Sequence, residues 1–292
     1  MGYVFDPASL NEYVSQNTDL IAEAILNTET LKYISTRTGV SAGVTSLNIF
    51  NADFTDAARA CGWEASGDMT FTQIEVAVED RQIKQQVCVP DLRAYWLSER
   101  MQPGEAGNEE LPFAETIANY YLGGITKNIE DFIGAQLITA SADFAVQGGT
   151  PAALTVSNAI EQLNDLYDAL APEVQNREDV IIVMSPAAYR TAVRAIVAQG
   201  GAGYFHYSVG DGTGEVMLPG TNAKLVKNSG FTGEDTIVAL PGAFAVFATG
   251  LMDDMDKFNM FYDQTEDIVK MTAFYRRGLG VYSPEKCATN GL

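Results

Sequence analysis

A single histidine, His206, and three cysteines, Cys61, Cys88 and Cys287, are all the imidazole and thiol side chains that a chain of 292 residues holds. One histidine excludes a His-pair metal site, so any acid/base scheme would rest on carboxylates or on that imidazole. The cysteines are odd in number, far apart and without a CxxC pair. They suggest neither a disulfide framework nor a thiolate zinc site, and read as reduced thiols in a cytoplasmic setting. Basic residues are scarce as well: 18 Lys and Arg face 38 Asp and Glu, a net charge of −20. Gripping nucleic acid or an anionic membrane takes Lys and Arg, so both roles are disfavoured. The longest apolar run, 237–252, is broken by Pro241, Gly242 and Gly250 and is too short to span a bilayer. No basic residue precedes Lys32, and Asp6 stands where a myristoylation site after Met1-Gly2 needs Ser or Thr. The expectation is a soluble, unexported chain with no membrane partner.

Apolar residues make up 47% of the chain and charged ones only 19%. That balance supports a large core and suits a protein that buries surface against copies of itself. Residues 7–33 show a helical apolar period at Leu10, Val14, Leu20, Ile21, Ala24, Ile25 and Leu31, interrupted at Asn17-Thr18, and read as an amphipathic arm. From 46 to 90 the period becomes alternating, at Leu47 and Ile49, then Ile74, Val76 and Val78, then Val87 and Val89. This predicts a long two-stranded projection running into a more regular β pair, with Asp80-Arg81 as its turn. A bare hairpin of this kind needs a surface to lie on.

Pro103, Gly104 and Gly107 break the chain before a long helix over 111–139, with Pro112 in its first turn. Its apolar stripe is expected to run through Phe113, Ile117, Tyr120, Tyr121, Ile125, Ile129, Phe132, Ile133 and Leu137. An α/β pattern follows: a helix through Val156 to Leu170 that Pro172 ends, a strand at 180–184, and a helix that Ser185 caps and Pro186 opens. Seven glycines between 200 and 220, beside Tyr204, Phe205, His206 and Tyr207, predict an exposed loop. Short strands are expected near 225–226, 237–240, 244–247, 258–262, 268–275 and 280–282.

Three patterns invite chemistry, and each has a plainer reading. Gly39-Val40-Ser41-Ala42-Gly43 fits GxSxG, with His206 downstream as a hydrolase elbow would require. The elbow, however, needs a strand before the serine and a helix after it, whereas 44–50 reads as a strand. Gly210-Asp211-Gly212-Thr213-Gly214 lacks the lysine, strand and helix of a phosphate loop. Asp253, Asp254, Asp256, Asp263, Glu266 and Asp267 lack the spacing of a calcium loop and read as solvated faces. No catalytic, cofactor or metal residue is assigned.

The succession of elements carries more than any motif. Gly62-Trp63-Glu64 stands ahead of the strands 72–89, and the long helix starts near Leu111. "VIIVMSPAAYRTAVRAIVAQGG" follows from Val180, "LPGTNAKLVKNSGF" from Leu218, "DTIVALPGAFAVF" from Asp235 and "MTAFYRRGLGVYSPE" from Met271. In this order the chain resembles tailed-bacteriophage major capsid proteins of the Hong Kong 97 fold, over roughly 46–285. The resemblance implies an α+β fold with an N-terminal arm (1–42), an extended loop with peripheral strands (43–90), a peripheral domain on a spine helix (91–154), an axial domain (155–250) and peripheral return strands (251–292). It also implies hexamers and pentamers closing an icosahedral shell around phage DNA without sequence-specific binding, with portal, scaffold and decoration proteins as partners and no cofactor. The glycine-rich loop, with Tyr204 and His206, would lie at the capsomer centre. Trp63, Arg81, Lys84, Arg276 and Arg277 are the other expected contacts between subunits. No Lys and Asn pair for covalent cross-linking can be placed. A compartment shell of the encapsulin type resembles the same fold, and a serine hydrolase using Ser41 and His206 is the alternative from another class.

Overall fold

The computed structural model describes residues 25, 28–52, 69–88, 113–150, 152–198, 215–231, 235–250, 258–263 and 265–292. Among them two six-stranded sheets form. The first has the order β1 (Ser35–Arg37), β9 (Ala245–Ala248), β11 (Ile268–Val281), β3 (Met69–Cys88), β2 (Gly43–Ala52), with β10 (Phe258–Asp263) also paired to β11. The second runs β4 (Ala145–Val146), β12 (Ala288–Thr289), β8 (Val238–Pro241), β5 (Val180–Met184), β7 (Lys224–Lys227), β6 (Val216–Met217).

Between them lies α1 (Phe113–Ala140), whose 28 residues span about 42 Å at the helical rise. Its buried stripe is Tyr121, Leu122, Ile125, Ile129, Ile133 and Leu137. Tyr120, expected on that stripe, is 85% exposed instead. Neighbouring residues on a helix differ by 100° in direction, and here Tyr121 and Leu122 straddle the buried face, which leaves Tyr120 turned to its outer side. The stripe shares one apolar cluster with Ile181 and Val183 of β5 and with Val269, Met271, Ala273 and Tyr275 of β11, so it serves both sheets.

The second sheet is covered on both faces. Alternate residues of β5 point opposite ways: Ile181 and Val183 join the α1 cluster, while Val180, Ile182 and Met184 join Leu163 and Leu166 of α2 (Ala159–Asp168) and Ala192 and Ile196 of α4 (Pro186–Ala198). A continuous apolar run is the sequence that such a position demands. The Ser185 hydroxyl accepts from Ala188 N–H at 3.2 Å, the cap expected there. Pro172 opens the one-turn α3 (Pro172–Gln175) rather than merely ending the helix before it.

Two strand expectations change. Asp80 and Arg81 form no turn, because β3 runs unbroken for 20 residues. The runs 268–275 and 280–282 are a single strand, β11. The chain passes from the second sheet to the first at the turn Gly242–Phe244, and β12 returns to the second sheet.

That crossing turn is held tightly. Gly242 N–H donates to Asp179 O at 2.7 Å and Ala243 N–H to Asp179 Oδ2 at 3.2 Å. Arg177 grips the same carboxylate through two bonds of 2.8 Å and lies over the Phe244 ring. A Cβ on Gly242 would stand 1.9 Å from the Tyr33 carbonyl oxygen, so glycine is required there by close approach.

Candidate assembly surface

At about 3.3 Å per residue the 20-residue β3 reaches about 66 Å, and its two halves live in different surroundings. The C-terminal half pairs with β11, from Arg277↔Glu79 to Ile268↔Cys88. The N-terminal half pairs with β2 alone, from Gly43↔Val78 to Ala52↔Met69. Where β11 passes on to β9, at Gly278↔Ala248, β3 leaves its edge and turns Val76 and Val78 onto Val246, Ala248 and Val40.

Two glycines permit that crossing. A Cβ on Gly280 would fall 2.3 Å from Val76 Cγ2, and one on Gly278 would fall 2.7 Å from the Ala77 carbonyl oxygen. Glycines two apart in a strand, on one face, are the signal in the sequence that could have announced a close approach. Val44, opposite Ala77 at the root, is 66% exposed, and Met69 at the far end of β3 is 64% exposed.

Two arginines fix the root. Arg276 is buried and its Nε donates to Asp80 Oδ1 at 2.7 Å, which ties β11 to β3 at the position expected to turn. Its neighbour points to the other face. There the Arg277 guanidinium lies 4.2 Å from the Phe132 ring centroid, and its Nη1 donates to Asn128 Oδ1 at 2.6 Å. Burial pushes the Arg277 pKa down. Both residues, expected between subunits, are engaged within this one. Arg81 is exposed and bonds Glu79 on the same strand face, and Lys84 is exposed opposite Thr272. Trp63, Tyr204 and His206 lie outside the described residues, as do 53–68 and 201–214 as a whole.

A second junction, which nothing in the sequence marked, joins the segment after Ile25 to the body. Glu130 of α1 is buried and accepts from the Thr30 hydroxyl, from Thr30 N–H at 3.4 Å and from Asn228 Nδ2 at 3.1 Å. Asn228 Nδ2 also reaches Thr30 Oγ1 at 2.9 Å, and its Oδ1 accepts Gly230 N–H at 2.7 Å. Burial raises the Glu130 pKa, and the Thr30 bonds pull the other way. Here a Cβ on Gly134 would meet Gly230 Cα at 2.7 Å, so α1 seats directly on backbone.

The chemistry-bearing patterns find other uses or fall outside. Ser41 is exposed between β1 and β2, with a strand and not a helix after it. Asp263 and Glu266 are both bonded to Lys270 Nζ, at 2.6 and 3.0 Å, which holds the Asp263 carboxyl below its usual range. Asp253, Asp254 and Asp256 lie outside the described residues. Among those described, no three His, Cys, Asp or Glu gather as a metal site, and no helix is long and apolar enough to cross a membrane.

No family model and no curated protein matches the chain. Solved structures do. The virus-like particle from Pyrococcus furiosus is similar at a TM-score of 0.56 and 12% identity, over 95% of this chain and 99% of that one. The satellite phage P4 procapsid gives 0.54 and 10%, over 94% and 98%. The capsid of the cyanophage P-SCSP1u gives 0.51 and 13%, over 88% and 85%. The long helix shared by two sheets, the projecting hairpin and these likenesses together give the chain the α+β Hong Kong 97-like capsid fold.

Proposed function

We propose that the chain is the major capsid protein of a tailed phage, assembling into the hexamers and pentamers of an icosahedral shell that encloses double-stranded DNA. The observation that carries the reading is the hairpin of β2 and β3, a long arm that is buried, among its described side chains, only at Val76 and Val78, with Ile74 packed partly against them. An antiparallel pair of this length is marginal in water and gains stability from a surface outside its own chain, which a neighbouring copy supplies. The net charge of −20 suits a wall that must not adhere to packed phosphates. Portal, scaffold and decoration proteins belong to the same reading, as does a place in the virion after assembly in the host cytoplasm. The role is structural, without catalysis.

Electron microscopy of the purified chain tests this. Closed particles, tubes or capsomers are expected, and in infected cells nuclease-resistant DNA within them. A chain that stays monomeric at high concentration, with and without a scaffold partner, defeats the proposal. The likeness to the Pyrococcus furiosus virus-like particle, over 99% of that chain, favours one second reading, a protein compartment. Particles filled with a host protein and free of DNA would select it.

A further inference from the structure

The second sheet carries helices of opposite charge towards its two edges. α2 packs on β12 and is tied to the end of β4, where Gln147 Nε2 donates to Gln162 Oε1 at 2.9 Å. α4 packs on β7, towards the other edge.

Glu161, Asp165 and Asp168 stand at i, i+4 and i+7 of α2, in one stripe turned away from the buried Leu163 and Leu166. Asp165 leans towards the β4 edge, because its Oδ2 lies only 2.4 Å from where a Cβ on Gly149 would stand. Arg190, Arg194 and Val197 repeat that spacing on α4, turned away from the buried Ala192 and Ala195. Both arginines are exposed, and Val197 is 54% exposed. Among the described residues none of these charged side chains has an ion-pair partner.

Beside Arg190 a groove of about 590 Å³ opens between α4 and α1. Gly123, Pro186 and Tyr189 line it together with Lys127, Arg190 and Lys227. Its floor is open at Gly123, where no heavy atom lies within 4 Å of where a Cβ would stand. The groove has its own acids, Glu29 and Glu130. Lys227 pairs with Glu29 at 3.3 Å and Lys127 with Asp131 at 2.9 Å. Both pairs are solvent-exposed and worth little, so they can re-pair with an incoming carboxylate, and Arg190 needs no re-pairing. In a chain of net charge −20 a basic groove is complementary to copies of the chain itself.

We infer that this groove receives α2 of a second copy, with the stripe of Glu161, Asp165 and Asp168 set against Arg190, Arg194 and the groove lysines. Both stripes run from i to i+7, about 10 Å at the helical rise, so their charges come into register. The acidic and basic faces lie towards opposite edges of one sheet. The contact is therefore head-to-tail, leaving every copy with an α2 to give on one side and a groove to fill on the other, and it closes into a ring when the rotation between copies divides a full turn. The inference rests on the shell reading, to which it adds the faces that meet within a ring.

Charge reversal in separate and mixed assemblies tests it. Arg190→Glu with Arg194→Glu in one chain, and Glu161→Lys with Asp168→Lys in another, should each raise the concentration needed for assembly about tenfold in sedimentation. The unfolding midpoint of each dilute subunit should match the wild type, which controls for folding. Mixed in equal amounts the two variants should assemble again, because each then meets the opposite charge. They should do so only in even-membered rings, so hexamers return and pentamers do not. Folded variants that assemble as the wild type does, or a mixture as defective as either variant alone, would overturn the inference and leave the shell reading standing on the wild-type particles. A wild type that never associates overturns both.

Discussion

The strand β5 and the hairpin of β2 and β3 are both rich in Val and Ile, yet they end in opposite surroundings. β5 reads Val-Ile-Ile-Val-Met and is buried at every position. The hairpin alternates, with Gln73, Glu75 and Ala77 between Ile74, Val76 and Val78, and only the last two of these apolar residues are fully covered. The second sheet is thus covered on both faces within one chain, whereas the hairpin, among its described side chains, is covered only at its root. Stability and assembly are consequently properties of different residues.

That separation can be broken by substitution. Ile182→Ala, in the doubly covered strand, should cost about 2–5 kcal/mol in chemical denaturation and remove much of the folded population. Val76→Ala, at the hairpin root, removes two methyl groups and should cost roughly 1.6 kcal/mol, with accelerated hydrogen exchange concentrated in β2 and the adjoining half of β3. Asp179→Asn should cost about 1 kcal/mol through the weakened grip on the crossing turn.

The Asp179 effect carries a pH signature. The Arg177 guanidinium holds that carboxyl below its ordinary value of 3.8. Its stabilising contribution is therefore full above that value and lost as pH falls through the depressed one, so the variant and the wild type should converge in stability in strong acid. Val44→Asp, on the exposed hairpin, should change subunit stability by less than about 0.5 kcal/mol while abolishing particles in electron micrographs. A Val44→Asp subunit that unfolds, or one that still assembles, would erase the contrast between the two regions.

What the sequence revealed follows the range of the forces involved. The α4 cap at Ser185, the strand β5 and the long helix are decided by residues a few positions apart, and each was legible. Asp80 and Arg81 look like a turn because polar neighbours usually mark one. The partner that keeps them extended, Arg276, lies 196 positions away. For the same reason Arg276 and Arg277 read as surface cations, since Asp80, Phe132 and Asn128 approach them only after the sheets form. The choice of Tyr121 over Tyr120 for the core depends on the face that β11 presents to the helix. The expected contacts Trp63, Tyr204 and His206 remain proposals of the capsid reading.

One consequence of the long strand is mechanical. β3 is a single member that holds the hairpin at one end and is clamped to β11 at the other. Tension drawn along its axis loads the bonds from Arg277↔Glu79 to Ile268↔Cys88 side by side, in shear, so that they must yield together and not one after another. A pull on the outlying arm is thereby delivered to the middle of the first sheet, where Tyr275 and Arg277 pass it to the long helix through Asn128.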